Sequence, residues 1–299
     1  MNKPNFFIVG APKCGTTALC QYLDEHPNIF ISTPKEPHYF ANDFPKMRHV
    51  SELSEYIELF NDADESCTAI GEGSVWNLYS DVAVENIMDF DKDAKIIVML
   101  RNPVDLVYSM HSQHQITLDE NQIDFIKAWD LQNERANGNS LPPKCREPKL
   151  LQYSAFGKLG DQIERLFSTV PKSQVHIIIF DDFSKDTKSS YEAVLKFLEV
   201  PLYDKQEFPR VNENKSHKNM ILAFFTQSPP RWLVRFAFSI KKLFRIENLG
   251  ILEKIRVINR STKPRTKLDN DFRSKLADYF KSDISKLSKL IERDLNHWK

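Results

Sequence analysis

The chain has 299 residues, of which 41% are hydrophobic, and its 41 lysines and arginines balance 41 aspartates and glutamates. This composition is typical of a globular protein with a sizeable core, and it excludes a disordered chain, a collagen-like chain and a coiled-coil rod. A formal net charge of zero argues against a protein that binds nucleic acid or membrane with its whole surface. We expect a single domain over residues 1–299 and no nucleic-acid partner.

Cysteine usage and the start of the chain predict a cytoplasmic protein. The four cysteines form no CxxC pair and have no histidine at zinc spacing, so we expect neither a disulfide framework nor a metal site. The first apolar run, residues 6–9, is too short for a signal peptide. No apolar run approaches the roughly 18 residues that a membrane-spanning helix needs.

Three short apolar runs predict strands, and each is followed by a loop and a helical pattern. The runs cover residues 6–9, 95–100 and 175–180, and the helical patterns cover residues 16–26, 104–115 and 189–198. By length alone the runs could be pieces of buried helix, but their β-branched residues and the turns after them favour strands. The recurring order of strand, loop and helix predicts an α/β fold with a mostly parallel sheet.

Residues 215–267, here called the basic segment, contain thirteen lysines and arginines against two glutamates, together with apolar runs rich in phenylalanine. This composition predicts a pair of amphipathic helices that cover an edge of the sheet with their basic faces outward. A second interpretation is a lid or docking surface, in which residues 220–260 contact a membrane or an anionic polymer. After this segment, apolar residues at helical spacing predict one long closing helix over residues 268–298.

Residues 10–17, with the sequence Gly-Ala-Pro-Lys-Cys-Gly-Thr-Thr, lie between the first predicted strand and the first helix. In this position, backbone N–H groups and a helix N-terminus bind phosphate. The loop departs from the Walker motif, because Thr16 stands at the lysine position and the next strand ends in Arg101 rather than in aspartate. A site that contains Lys13 and Arg101, but no evident metal ligand, suits a ligand whose phosphate groups bind without Mg²⁺. A plain turn capped by Thr16 would account for Gly15 but would leave Lys13 unexplained.

Two phosphate-binding motifs resemble those of the PAPS-dependent sulfotransferases. Residues 12–17 (Pro-Lys-Cys-Gly-Thr-Thr) match the P-K-x-G-T-T loop that binds the 5′-phosphosulfate in that family. Residues 101–103 (Arg-Asn-Pro) and Ser109 match its 3′-phosphate motif, R-[ND]-P followed by a serine eight residues after the arginine. The resemblance also includes residues 71–74, a helix at 153–167 and residues 283–298. It covers nearly the whole chain and is closest to the bacterial and carbohydrate-acting branch.

The resemblance implies a P-loop-like three-layer αβα fold with a central, mostly parallel sheet and a C-terminal helical portion. It also implies PAPS as the sulfuryl donor. The residues that it assigns to the donor are Pro12, Lys13, Cys14, Gly15, Thr16, Thr17, Arg101, Ser109, Lys215 and Lys218. Among them Lys13 is assigned to the bridging oxygen of the leaving phosphate, and Arg101 and Ser109 to the 3′-phosphate. The K-G-x-x-G form of the aryl and steroid branch is absent, which weakens the assignment of Lys215 and Lys218.

A proton acceptor is expected in residues 35–40, whose sequence Lys-Glu-Pro-His-Tyr-Phe resembles the K-E-[PV]-H-[FY]-F segment of carbohydrate sulfotransferases. The resemblance assigns the general base to Glu36, with His38 as second choice because an imidazole also titrates near neutral pH. The structural alternatives are that Glu36 only pairs with a nearby cation and that His38 is a hydrogen-bonded, half-buried residue. Heparan-type enzymes often carry a lysine after the glutamate at the position of Glu72, whereas this chain has Gly73. The function of that lysine is therefore lost here or is supplied from elsewhere, such as the basic segment.

Together these residues predict an enzyme that transfers a sulfuryl group from PAPS to an acceptor hydroxyl or amine, on a small molecule or carbohydrate such as a lipid-linked sugar. Two other functions stay open. A P-loop kinase that uses Mg-ATP is favoured by the context of residues 10–17 and disfavoured by Thr16. A non-catalytic partner protein that keeps the nucleotide fold is disfavoured by the joint presence of Lys13, Glu36 and Arg101.

Overall fold

The computed structural model describes residues 2–209, 211, 216–217, 260–261 and 266–299. Its centre is a five-stranded sheet in the order β2-β3-β1-β4-β5, in which every neighbouring pair is parallel. The strands are β1 (Phe6–Gly10), β2 (Ile29–Ile31), β3 (Ala69–Glu72), β4 (Lys95–Leu100) and β5 (Val175–Ile179). The three strands predicted from apolar runs are confirmed, and β2 and β3 are strands that the sequence did not indicate.

Helices lie between the strands and after the last strand of the sheet. They are α1 (Thr16–Asp24), α2 (Leu53–Glu58), α3 (Ala83–Phe90), α4 (Pro103–Thr117), α5 (Phe125–Asp130), α6 (Gln132–Ala136), α7 (Tyr153–Phe156), α8 (Leu159–Thr169), α9 (Phe180–Lys185), α10 (Thr187–Leu198) and α11 (Asn270–Leu290). Short 3-10 turns cover Pro148–Leu151, Lys172–Gln174 and Asn296–Trp298. A second, antiparallel pair joins β6 (Ser216–His217) to β7 (Arg260–Ser261).

The core lies on both faces of the central strands. All five residues of β1 are buried, and in β4 only Lys95 is partly exposed. A strand that is buried on both faces needs a layer of helices above and below it, which explains its continuous apolar run. The predicted α/β fold with a parallel sheet between helical layers is therefore confirmed.

The order of the strands creates a crevice between β1 and β4. The chain leaves β1 toward β2 and β3 on one side of the sheet, and it then crosses to β4 and β5 on the other side. In open parallel sheets, ligands bind outside the carboxyl ends of the strands at such a switch point. The predicted phosphate loop follows β1 and Arg101 follows β4, so both motifs lie at this crevice.

The closing helix is shorter than the predicted span of residues 268–298, because α11 ends at Leu290. The chain turns at Glu292, which has a left-handed φ of 54°. Leu295 and Trp298 then return to the core from the turn that follows and are almost fully buried. Their helical spacing from the preceding apolar residues therefore reflects burial in the same core and not a continuous helix.

The helix expected at 153–167 is also interrupted, because α7 ends at Phe156 and α8 begins at Leu159. The carboxylate of Asp283 on α11 accepts hydrogen bonds from the backbone N–H groups of Gly160 (2.7 Å) and Asp161 (3.0 Å). This side chain from a distant helix satisfies the free amides at the start of α8. The break therefore depends on a tertiary contact.

Most of the basic segment lies outside the described residues. The structure describes only 216–217, 260–261 and 266–267 of it, so the predicted amphipathic helices, the lid and the contact through 220–260 fall outside the described part, as do Lys215 and Lys218. In the part of the chain that is described, no helix combines the length and the apolarity needed to cross a bilayer.

Candidate active site

The phosphate loop turns sharply between β1 and α1. Lys13 and Gly15 have left-handed φ angles of 65° and 92°. Gly15 is the N-cap of α1, with no side-chain hydrogen bond to that cap among the described residues, and Thr16 is the first helical residue. The first backbone N–H groups of α1 therefore face the crevice without an internal helical partner, as an anion-binding helix terminus requires.

Gly15 is predicted to be necessary for the close packing of this loop. A Cβ atom at residue 15 would lie 3.2 Å from Phe183 Cε1 and 3.3 Å from Phe180 Cε2, in addition to the strain of the positive φ. We expect Gly15→Ala to lower the free energy of unfolding by about 1–3 kcal/mol, measured by urea unfolding. Gly138→Ala is the matched control, because Gly138 has a φ of 80° with no heavy atom within 4 Å of the ideal Cβ. An equal loss in both variants would contradict the packing argument.

The two predicted phosphate motifs are in contact. Arg101 Nη1 donates a hydrogen bond to the carbonyl oxygen of Lys13 (3.3 Å), and its guanidinium lies 4.7 Å from the centre of the Phe180 ring. The Lys13 ammonium donates to Gln113 Oε1 (3.1 Å). Gln113 was not predicted, although it lies four residues after Ser109 on the same face of α4. That spacing was the signal in the sequence that could have identified it.

Ser109 is buried in α4, about two helical turns beyond Arg101. Asn102 caps this helix, because its Oδ1 accepts from the Val104 N–H group (2.9 Å) and its amide donates to the carbonyl oxygen of Trp298 (3.2 Å). The C-terminal turn therefore holds the strand end that carries Arg101. The structure thus brings Arg101 into contact with the phosphate loop, and it places Ser109 on α4, the helix that follows Arg101.

Cys14 and Pro12 contribute to the loop from the protein interior. Burial raises the pKa of the Cys14 thiol to about 12, and the thiol donates to the carbonyl oxygen of Pro12 (3.6 Å). A buried neutral thiol has no nucleophilic character at physiological pH. The side chain of Cys14 is therefore a packing group, and only its backbone is available to a ligand.

Glu36 lies between the side chains of Lys35 and His38. Its Oε1 is 2.8 Å from Lys35 Nζ, and its Oε2 is 3.3 Å from His38 Nε2. The side chain of Glu36 is 31% exposed, whereas that of His38 is 3% exposed. Burial opposes the ionised carboxylate, but the hydrogen bond from His38 and the charge of Lys35 outweigh burial and lower the pKa of Glu36 to about 2. Glu36 is thus an accessible carboxylate, while the His38 side chain that contacts it is buried.

Lys35 joins this loop to the end of β3. Its carbonyl oxygen accepts from the Gly73 N–H group (2.9 Å), and its ammonium donates to the Gly73 carbonyl oxygen (3.2 Å). A Cβ atom at residue 73 would lie 3.3 Å from Lys35 Nζ and 2.8 Å from Cys20 Sγ. Gly73 therefore leaves the space that the Lys35 ammonium uses.

Glu72 is a second carboxylate at this edge, and the sequence analysis assigned it no role. It is fully buried at the end of β3, and burial raises its pKa to about 7. Its Oε2 accepts from the Ser74 N–H group (2.6 Å) and its Oε1 from Asn77 Nδ2 (3.4 Å). A glutamate within the predicted resemblance at residues 71–74 was visible in the sequence, but nothing there indicated its burial.

The site has two sides along the carboxyl edge of the sheet. The loops after β1 and β4 provide the cationic side, with Lys13 and Arg101. The loop after β2 and the end of β3 provide the side with Glu36 and Glu72. Because β3 lies between β1 and β2, these two sides are neighbours along the sheet edge. One side suits an anionic donor and the other can accept a proton.

Comparison with known proteins gives the family. Residues 3–221 match the model of the sulfotransferase domain family. The chain belongs to this family. The predicted resemblance is thereby confirmed, and membership also supports an enzyme of this type over a kinase.

Several known sulfotransferases are similar to this chain. Mouse carbohydrate sulfotransferase 15 is 25% identical over 263 residues, which cover 68% of this chain and 45% of that protein. The membrane-associated sulfotransferase kil1 of Dictyostelium discoideum is 30% identical over 301 residues, with 75% of this chain and 63% of that protein covered. This chain therefore spans less than half the length of the mouse relative.

A solved structure confirms the fold of the described part of the chain. The crystal structure of a sulfotransferase from Alicyclobacillus acidocaldarius has 26% sequence identity and a TM-score of 0.71. The match covers 100% of this chain and 99% of that one. The P-loop-like αβα architecture predicted from the two phosphate motifs is therefore shared with a bacterial sulfotransferase.

Proposed function

We propose that this chain transfers the sulfuryl group of PAPS to a hydroxyl group of a carbohydrate acceptor. The observation that supports the proposal best is the contact between the two phosphate motifs, in which Arg101 donates to the carbonyl oxygen of Lys13 at the crevice between β1 and β4. The carboxylate of Glu36 lies on the same edge of the sheet, as a transfer to a hydroxyl group requires. The carbohydrate sulfotransferases among the relatives support the acceptor class.

The residues of the crevice fit a donor with two separate phosphate groups. The backbone N–H groups at the start of α1, including those of Gly15, Thr16 and Thr17, would hold the 5′-phosphate. Arg101 and Ser109 would hold the 3′-phosphate, and the ammonium of Lys13 would lie at the bridging oxygen of the phosphosulfate.

The bound donor supplies a sulfuryl group whose S–O bond to the 5′-phosphate breaks as a new S–O bond to the acceptor oxygen forms. Lys13 stabilises the negative charge that develops on the leaving phosphate. Glu36 accepts the proton of the attacking hydroxyl group. His38 is the second candidate for this base, but the side chain of Glu36 is far more accessible than that of His38.

The donor site is tested by thermal unfolding with 3′-phosphoadenosine 5′-phosphate, called PAP here, without Mg²⁺. At about 100 times Kd a ligand adds about 2.7 kcal/mol, so we expect the midpoint to rise by about 5–10 °C. Arg101→Ala removes the guanidinium of the 3′-phosphate site, so the rise should disappear in this variant.

The control variant for this test is Arg273→Ala, because Arg273 is a half-exposed arginine that pairs with Asp105. It should keep the full rise with PAP. ADP and ATP, each with and without Mg²⁺, complete the comparison. A rise with ATP only in the presence of Mg²⁺ would contradict the proposal and would favour the kinase alternative.

The acceptor is tested separately from the donor. Radiolabelled PAPS is offered with a panel of carbohydrates, and transfer of label to a sugar hydroxyl group is the expected result. Label only on an amine would correct the proposal to N-sulfation. The cytoplasmic location, the single domain over residues 1–299 and the contact through 220–260 stay predictions from the sequence.

A further inference from the structure

The buried carboxylate of Glu72 has no part in the reaction as proposed above. It is held by hydrogen bonds from the Ser74 backbone (2.6 Å) and the Asn77 side chain (3.4 Å). Burying a carboxylate is unfavourable unless hydrogen bonds compensate for the lost water. The position of Ser74 is therefore tied to Glu72.

Ser74 connects Glu72 to the loop that carries the proposed base. The Ser74 hydroxyl oxygen accepts a hydrogen bond from the backbone N–H group of His38 (2.8 Å). His38 has a left-handed φ of 51°, a conformation that residues other than glycine keep only where the surroundings hold them. The ring of His38 in turn contacts the carboxylate of Glu36 (3.3 Å).

We infer that Glu72 is a positioning residue for sulfuryl transfer: through Ser74 it holds the backbone of His38, and thereby the carboxylate of Glu36, at the acceptor side of the site. This inference rests on the proposed function. A reacting group that is displaced by about 1 Å can lower a rate by about 10²-fold, so such a link has a measurable effect.

The electrostatic surroundings of Glu72 add a dependence on pH. Lys35, Glu36 and His38 face it from the loop after β2, Cys20 faces it from α1, and Tyr56 faces it from α2. Burial is the main cause that raises its pKa to about 7, and the negative charge of Glu36 acts in the same direction.

As the pH rises through about 7, the Glu72 carboxylate forms, and the hydrogen bond from the Ser74 N–H group becomes charge-assisted and stronger. We expect the transfer rate to rise over the same range. A glutamine at residue 72 cannot ionise, but it keeps the oxygen that Ser74 needs. The side-chain amide of Asn77 can rotate so that its Oδ1 accepts from the glutamine NH₂ group, because Asn77 Oδ1 has no hydrogen-bond partner among the described residues.

The test uses the release of PAP from PAPS with water as the acceptor, so it needs no identified carbohydrate. We expect Ser74→Ala and Glu72→Ala to lower this rate by about 10–100-fold, because the link to His38 is lost. Glu72→Gln should stay within about tenfold of the wild-type rate and lose the rise near pH 7. The midpoint shift with PAP should be unchanged in all three variants, because none of them touches the donor side.

Asp283→Asn is the matched control. Asp283 is another buried carboxylate that accepts two backbone N–H groups, and its pKa is also raised by burial, but it lies on α11 against α8. This variant should keep the rate and its pH dependence. If Glu72→Ala does not fold, Ser74→Ala and Glu72→Gln still decide the question.

A second readout needs neither donor nor acceptor. The backbone amide proton resonance of Ser74, which donates to Glu72, should move near pH 7 in the wild-type protein, and Glu72→Gln should remove this movement. A wild-type rate in Ser74→Ala, an unchanged pH dependence in Glu72→Gln, or a Ser74 amide resonance that does not respond to Glu72 would each overturn the inference. Failure of the proposed function is distinct, because then the wild-type protein would neither be stabilised by PAP nor release PAP from PAPS.

Discussion

Lys13→Ala should lower the rate of sulfuryl transfer by about 10²–10³-fold, because removal of one donor that stabilises developing charge has an effect of this size. Lys13 lies on the sharp turn after β1, and its ammonium is directed toward Gln113 on α4, beside the helix terminus proposed for the 5′-phosphate. Alanine keeps a Cβ atom at this left-handed position, so the loop itself should persist. The measurement is the rate of PAP release from PAPS at saturating donor concentration.

The Lys13 prediction separates catalysis from binding. Arg101 and the amides at the start of α1 remain in the variant, so PAP should still raise the unfolding midpoint. Lys196→Ala is the control, since Lys196 is an exposed lysine on α10, away from the crevice. A transfer rate of Lys13→Ala within about fivefold of the wild type would contradict a role at the leaving phosphate.

Glu36→Gln is expected to lower the transfer rate by about 10²–10⁴-fold, the range typical of a lost general base. The amide is close in size to the carboxylate and can still accept a hydrogen bond from Lys35, but it cannot take a proton from the acceptor. Glu52→Gln, on an exposed glutamate at the start of α2, is the matched control. The assay is PAP release from PAPS, both with water and with the best carbohydrate of the panel.

The pH dependence distinguishes Glu36 from the other carboxylate. Burial opposes the charged form, but His38 and Lys35 lower the pKa of Glu36 to about 2, so this base is ionised at every higher pH. Its contribution is lost only as the pH falls through about 2, and it produces no rise near neutral pH. A rise near pH 7 that disappears in Glu72→Gln belongs to Glu72, whose pKa is raised by burial. The two carboxylates therefore act in separate pH ranges.

His38 provides the outcome that would contradict the assignment of the base. If His38→Gln abolished transfer and Glu36→Gln kept it, the imidazole would be the base and Glu36 its partner. We expect a smaller loss in His38→Gln than in Glu36→Gln, because the His38 side chain is 3% exposed and that of Glu36 is 31% exposed.

Local sequence was sufficient for the strands with continuous apolar runs and for the loops that end them. β1 and β4 are buried over nearly their whole length, and every residue of β5 is at least partly buried, so each of these strands is a continuous apolar run or close to one. β2 has three residues, and β3 contains Gly71 and ends in a buried glutamate. Such strands have no distinctive pattern of their own, because the place of β3 depends on pairing with β1 and the place of β2 depends on pairing with β3.

The sequence by itself determined the family, the donor motifs with Lys13 and Arg101, and the segment that carries Glu36. These features are local, because the conformation of a loop after a strand depends on the glycines of that loop and on the helix that begins after it. Only the tertiary structure decided that Gln113 contacts Lys13, that the Lys35 ammonium lies beside Gly73, and that Ser74 holds the backbone of His38. The first contact exists because β4 lies beside β1, and the other two exist because β2 lies beside β3. No local pattern encodes which strands become neighbours.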